Sequence, residues 1–147
     1  MARTVRYRLR STVGGLAADL TAEMRQSADS AAPDIQVYGK LRLALPPGGL
    51  HWKDAAWLSF GVALNAREVN ARFPDGVTIR VLAFDMPLTD YRAEAAALVM
   101  DLWLREECGL APSGVAAAFS ASAGDYVFTW GDVENPFSDP TPRVHPA

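Results

Sequence analysis

The sequence predicts one α+β domain, in which a mixed, mostly antiparallel sheet carries about three helices packed on one face, in the order β-α-β-α-β-α-β-β. Two observations predict this class. Segments with apolar residues at every second position alternate along the chain with segments whose apolar residues have helical spacing. The chain of 147 residues has the size of one domain. The first two predicted strands alternate apolar and polar side chains, whereas strands covered on both sides are continuously apolar. One side of the sheet is therefore expected to face solvent.

The chain opens with a predicted strand and a predicted helix. Residues 4–10 alternate between apolar and polar side chains, which is the pattern of a half-buried strand. The polar side carries three arginines, Arg6, Arg8 and Arg10. Residues 13–27 then show helical spacing, with Asp19 and Glu23 off the apolar stripe. The members of that stripe are Val13, Leu16, Leu20 and Met24.

Residues 34–45 form the clearest predicted strand, because every second side chain is polar and the intervening ones are apolar or glycine. The polar positions are Asp34, Gln36, Tyr38, Lys40 and Arg42. The Pro-Pro-Gly-Gly segment at 46–49 ends this strand, since proline removes a ladder donor and glycine permits tight turning.

A second helix and a central strand follow. Asp54 is a candidate N-cap for a helix that runs to about Phe73, with apolar residues at steps of three and four. Pro-Asp-Gly at 74–76 predicts a turn. Residues 77–84 are nearly continuously apolar, which predicts a strand near the centre of the sheet.

The last predicted elements are a third helix and a hairpin. Thr89 or Asp90 caps a helix that ends at Gly109, where glycine suits the position after the last helical turn. Residues 115–120 and 126–130 alternate on either side of a short polar, glycine-containing segment, which predicts two antiparallel strands.

The composition changes after residue 131. Four prolines fall in the remaining segment: Pro136, Pro140, Pro142 and Pro146. Such spacing favours an extended chain over a folded element. We therefore predict one domain over residues 1–131 and a proline-rich, extended C-terminal tail over residues 132–147.

Composition excludes several classes of protein. The single cysteine, Cys108, cannot form an internal disulfide, which favours a reducing, cytoplasmic location. The longest apolar run, residues 95–100, is far short of the ~20 residues of a membrane span. A net charge of −3 argues against attraction of the whole domain to nucleic acid. No phosphate loop, dinucleotide-binding glycine motif, serine-nucleophile motif or metal-spaced histidine pair occurs, and we predict no cofactor.

The distribution of charge carries the functional prediction. If the predicted strands are neighbours, their cations share one exposed face of the sheet, and the predicted first and third helices carry the acidic residues. The residues of that face are predicted to be Arg6, Arg8, Arg10, Tyr38, Lys40, Arg42 and Arg80. Guanidinium groups pair with carboxylates through two parallel hydrogen bonds, so this face suits an acidic protein surface, including that of another copy.

We therefore expect a non-enzymatic binding or assembly subunit, such as an immunity-type inhibitor, an adaptor or a particle component. A plain alternative is a solvated face that its charges keep soluble and protect from edge pairing. An RNA-binding sheet needs aromatic platforms, and only Tyr38 is expected on the charged side, which disfavours nucleic acid.

A second functional hypothesis is a small enzyme or ligand-binding domain. His51 is a candidate acid or base in a loop, Asp85 ends the predicted central strand, and Asp90 follows closely. This hypothesis requires the three side chains to converge on one concave pocket. A loop histidine, a strand end and a helix cap account for these three residues better than catalysis does.

Overall fold

A computed structural model describes residues 1–11, 14–26, 34–87 and 92–138. Its elements are β1 (Arg3–Ser11), β2 (Gly14–Arg25), β3 (Asp34–Tyr38), β4 (Leu41–Ala44), α1 (Trp52–Ala63), α2 (Ala66–Arg72), β5 (Val77–Asp85), α3 (Glu94–Cys108), β6 (Val115–Ser120) and β7 (Asp125–Trp130). Five strands form one sheet in the order β1-β2-β5-β4-β3, in which only β4 and β5 are parallel. Strands β6 and β7 pair separately. The predicted fold class, a mixed and mostly antiparallel sheet with three helices, is confirmed.

The predicted first helix is wrong, because this segment is strand β2. It pairs antiparallel with β1 over nine positions and with β5 on its other side. Leu16, Leu20 and Met24 recur every four residues, and a step of four is also a multiple of two. They therefore share one side of a strand as readily as one side of a helix. Small residues between them, Ala18 and Ala22, complete the buried side of β2.

The segment predicted as one strand over residues 34–45 is a hairpin, β3 and β4, joined at Gly39 and Lys40. Gly39 adopts φ 59°, a left-handed conformation that glycine accepts without a steric penalty. A register shift between Gln36 and Tyr38 places Tyr38 opposite Leu41. The period-two pattern is therefore interrupted at Tyr38, whereas Leu41 and Leu43 remain on the buried side and Arg42 on the opposite one.

The predicted second helix is divided at Leu64 and Asn65 into α1 and α2. His51, not Asp54, is the N-cap of α1, and its Nδ1 accepts a hydrogen bond from the Lys53 backbone N–H at 3.2 Å. The predicted caps of the third helix, Thr89 and Asp90, lie outside the described residues, and α3 begins at Glu94. Its predicted end is confirmed, since Gly109 follows the helix in the left-handed conformation.

Helix α3 lies at the centre of the core, with ten of its residues buried. Helix α1 crosses it so closely that a Cβ on Gly61 would lie 2.8 Å from the carbonyl oxygen of Ala97. The Trp103 indole N–H donates to the carbonyl oxygen of Arg3 at 3.0 Å and ties α3 to β1. Among the described residues, no helix is long and apolar enough to cross a bilayer.

Strands β6 and β7 form the predicted hairpin, and their aromatic side packs on the rest of the chain. Trp130 stacks on Phe128 at 5.6 Å and meets the edge of Phe60 on α1 at 5.3 Å. Beyond residue 131, Val133 is buried and the Phe137 ring lies 5.3 Å from that of Phe60. Residues 139–147 of the predicted tail lie outside the described part of the chain.

Candidate binding surface

The sheet has one side against the helices and one side away from them, and we call the latter the outer face. Core side chains of the five strands, such as Leu20, Leu43 and Ile79, join those of the three helices in one cluster on the opposite side. No helix within the described ranges packs on the outer face. Among the described residues, this side of the sheet is therefore not covered by a helix.

Strand β1 places three of its four arginines on the outer face. The side chains of Arg6, Arg8 and Arg10 are exposed. The side chain of Val5 points to the opposite side of the strand, toward the helices, and is buried. Because strand residues rise about 3.3–3.4 Å each, successive arginines on one side lie roughly 6.7 Å apart. We call this row of three guanidinium groups the β1 stripe.

Arg80 and Arg42 also lie on the outer face, but they do not join the β1 stripe. Arg80 pairs in register with Glu23, and Arg42 pairs with Thr78. Two strands, β2 and β5, separate β4 from β1. At about 4.8 Å per strand, Arg42 is therefore displaced sideways by roughly 14 Å from the stripe.

Carboxylates interrupt the predicted positive face, because β2 is a strand and not a helix. Asp19 and Glu23 project between the arginines. The resulting ion pairs join Arg8 to Asp19 at 2.7 Å, Arg25 to Glu23 at 3.2 Å, Arg80 to Glu23 at 3.7 Å and Arg42 to Asp34 at 2.8 Å. These contacts neutralise much of the charge that the alternation predicted.

The outer face nevertheless keeps a positive balance. Its arginines are Arg6, Arg8, Arg10, Arg25, Arg42 and Arg80, and its carboxylates are Asp19, Glu23, Asp34 and Asp85. Six positive and four negative groups leave +2, so that the rest of the chain, with its total of −3, carries −5. Within the described ranges, Arg6 and Arg10 of the stripe have no carboxylate within 4.0 Å, whereas Arg25 and Arg80 share the one carboxylate of Glu23.

Two predicted members of the surface lie elsewhere. Tyr38 is opposite the buried Leu41 and packs, half-buried, against the core. Lys40 occupies the hairpin turn, where its carbonyl oxygen accepts from the Val77 N–H at 3.2 Å. The charged side of the described strands therefore carries no aromatic platform, which weakens further the case for a nucleic-acid surface.

A cleft opens at the end of the outer face where β1 turns into β2. It encloses about 360 Å³ and is lined in part by Arg8, Arg10, Gly15, Ala17 and Pro87. Gly15 lies directly opposite Arg10, and Ala17 lies directly opposite Arg8. These two small residues and the two long cationic side chains line the same space, and we call it the β1–β2 cleft.

His51 and Asp85 do not lie together. Asp85 lies opposite Asp19 in the register of β5 and β2 and projects from the outer face. His51 instead caps helix α1, on the covered side of the sheet. The His51 ring is stacked beside that of Trp52 at 6.0 Å. Asp90 lies outside the described residues. The structure thus provides no common pocket for His51 and Asp85.

No family model, curated protein or solved structure matches this chain.

One buried polar cluster was not anticipated. Asp101 is 1 % exposed, and its carboxylate accepts from Asn65 Nδ2 at 3.0 Å, Ser113 Oγ at 2.7 Å and Arg105 Nε at 2.9 Å. Asp101 lies four residues after Ala97, on the buried side of α3. A charged residue within an apolar stripe was the feature of the sequence that could have indicated this cluster. The cluster joins α3 to the α1–α2 junction and to the loop before β6.

Beside this cluster lies a second concavity of about 390 Å³, whose lining includes Asn65, Arg67, Ser113, Trp130 and Asp132. Its inner wall is the Asn65–Ser113 region that Asp101 holds in place. The described residues contain no group of three His, Cys, Asp or Glu side chains able to hold a metal ion. We assign the Asp101 cluster a structural role, since its carboxylate is already satisfied by donors of this chain.

Two titratable side chains near the core resist ionisation. Burial raises the pKa of the Cys108 thiol and outweighs the positive charge of Arg72, which lowers it, while the negative charge of Glu107 adds a smaller increase. Burial also raises the pKa of Tyr7, on the covered side of β1. Both groups are therefore neutral near pH 7, and the Cys108 thiol is less nucleophilic than an exposed one.

Proposed function

We propose that this chain is a non-enzymatic protein-binding or assembly subunit that docks an acidic protein surface on its outer face. A cytoplasmic inhibitor, adaptor or particle component fits this proposal, in keeping with the single cysteine. One observation carries it: Arg6 and Arg10 project from an uncovered sheet surface and have no ion-pair partner within the described ranges. Their charge is available to another molecule.

The chemistry of the stripe supports an acidic partner. Arginine is weakly hydrated and presents a rigid planar fork, so that pairing with a carboxylate loses little on desolvation. Complementary charge also raises the rate of association and makes it depend on salt. Because Arg8, Arg42 and Arg80 each lie in an internal ion pair, we centre docking on the β1 edge and not on the whole sheet.

Another copy of the chain is one acidic partner that the charges allow. The outer face carries +2, and the remaining residues carry −5, so two copies attract when the outer face of one meets the rest of the other. A contact between different surfaces of this kind builds rings or open chains of subunits. Self-association is therefore measured alongside binding of other proteins.

The test reverses the two unpaired cations together, as Arg6→Glu with Arg10→Glu. The matched control, Lys53→Glu with Arg67→Glu, changes net charge equally at two exposed positions away from the outer face. Light scattering at low and high salt measures self-association. Quantitative capture from cytoplasm measures binding to other proteins.

We expect wild type to associate in a salt-sensitive manner. The affinity of this association should fall at least tenfold in the outer-face variant and stay unchanged in the control. If the two variants behave alike, or if wild type shows no association in either measurement, the outer face is a solvated surface and the proposal fails. Circular dichroism of all three proteins confirms that folding is unchanged.

A further inference from the structure

We propose that the β1–β2 cleft receives one acidic side chain of the partner, held as a carboxylate between Arg8 and Arg10. This inference rests on the proposed function and assigns it a specific contact. Three features of the described residues support it: the space itself, the different states of the two arginines, and the net charge of the cleft.

The space follows from the strand register. Gly15 and Ala17 stand directly opposite Arg10 and Arg8 and line the cleft with them, so longer side chains at these two positions would occupy part of its volume. Pro87 also lines the cleft. With about 360 Å³ available, an Asp or Glu side chain and its adjoining backbone fit without movement of the sheet.

The two arginines play different parts. Arg8 is held in place, since its Nη1 donates to the Tyr7 carbonyl oxygen at 2.8 Å and its Nη2 lies 2.7 Å from Asp19 Oδ1. Arg10 has no such partner within the described ranges, and its fork is free to bind a carboxylate with two hydrogen bonds. A group bound by Arg10 is thus placed beside a guanidinium that is already ordered, which lowers the entropy lost on binding.

The charge of the cleft selects the ligand. Arg8 and Arg10 bring two positive charges, and Asp19 beside Arg8 removes one. A site with a net charge of about +1 matches a carboxylate monoanion better than a phosphate, which carries about −1.5 to −2 near pH 7. The geometry therefore points to an aspartate or glutamate side chain of the partner.

The test fills the cleft without changing its charge. Ala17→Leu adds bulk at the floor, and Ala83→Leu adds the same bulk on the outer face outside the cleft, opposite Thr21. The ¹⁵N-labelled full chain is titrated with hexaglutamate peptide while the Nε–Hε signals of the arginines are followed. A parallel titration uses inorganic phosphate at matched ionic strength.

We expect the Arg8 and Arg10 signals to shift saturably with hexaglutamate in wild type and in Ala83→Leu. The apparent Kd should rise at least tenfold in Ala17→Leu, and phosphate should bind more weakly than the peptide. Arg10→Gln, a change at an exposed side chain, should weaken binding to the same extent and serves as the test if Ala17→Leu does not fold.

Other outcomes separate the two proposals. If Ala17→Leu and Arg10→Gln bind as wild type does, while reversal of Arg6 and Arg10 still abolishes partner association, the cleft is refuted and the docking face stands. If phosphate binds more tightly than hexaglutamate at equal ionic strength, the carboxylate assignment is refuted. Loss of peptide binding equally in Ala83→Leu also overturns the cleft as the specific site.

Discussion

Replacing Asp101 with alanine should destabilise the protein more than any surface charge change. The substitution removes the acceptor of three hydrogen bonds and leaves the side chains of Asn65, Ser113 and Arg105 without their partner. Asn65 is 2 % exposed, so water cannot readily replace the lost acceptor.

Removal of one partner from a buried charged cluster costs about 3–5 kcal/mol. Because Arg105 is partly exposed, with 27 % of its side chain accessible, it keeps some hydration, and we expect the lower half of that range. A domain of this kind has a free energy of unfolding of about 5–15 kcal/mol, so the loss is a large share of it.

Urea unfolding followed by tryptophan fluorescence measures the change. With a denaturant slope of about 2 kcal/mol per molar, a loss of ~3–4 kcal/mol lowers the midpoint by roughly 1.5–2 M. The control is Glu106→Ala on the same helix, because Glu106 is 47 % exposed and 3.8 Å from Arg3, where ion pairs contribute about 0–1 kcal/mol. A loss below about 1 kcal/mol for Asp101→Ala would contradict the structural role assigned to the cluster.

Three further predictions concern packing and titration. Gly61→Ala should destabilise by about 1–3 kcal/mol in thermal unfolding, because its methyl group would lie 2.8 Å from a carbonyl oxygen of α3; an unchanged midpoint would refute the close crossing. The raised pKa of Cys108 should make alkylation by iodoacetamide at pH 8 much slower in the native protein than in urea, and equal rates would contradict its burial. The backbone N–H of Tyr126 and the Arg92 guanidinium lower the pKa of Asp125 from 3.8, so its contribution to stability is present above that pH and lost below it. Asp125→Asn should flatten stability against pH between 5 and 2, and an unchanged curve would argue against these contacts.

Much of the fold could be predicted from local patterns, and the failures have a common cause. The β1 stripe, β5, the end of α3 at Gly109 and the β6–β7 hairpin follow from periodicity and turn residues within each segment. Strand β2 was mistaken for a helix because its large apolar residues are four apart, a spacing that suits both structures. Its neighbour β1 decides between them by supplying a ladder of backbone hydrogen bonds.

That single error also altered the predicted site. Assigning Asp19 and Glu23 to a helix placed them opposite the arginines, whereas as strand residues they lie among them and form ion pairs. Tyr38 left the predicted surface for a similar reason, since a bulge and a turn change which side a residue occupies. Asp101 was interpreted as a surface charge, because its partners are 36 and 12 residues away in the chain.

By itself, the sequence determined which side chains of β1 face solvent, where the hairpin and the last turn of α3 fall, and that the sheet has a polar side. The contacts between segments determine which carboxylates accompany the arginines, that Arg6 and Arg10 have no ion-pair partner among the described residues, and that Arg8 and Arg10 line a common cleft. The physical reason is that periodicity records the environment of one segment at a time. Ion pairs and clefts depend on strand register, which is set by contacts between segments distant in the chain.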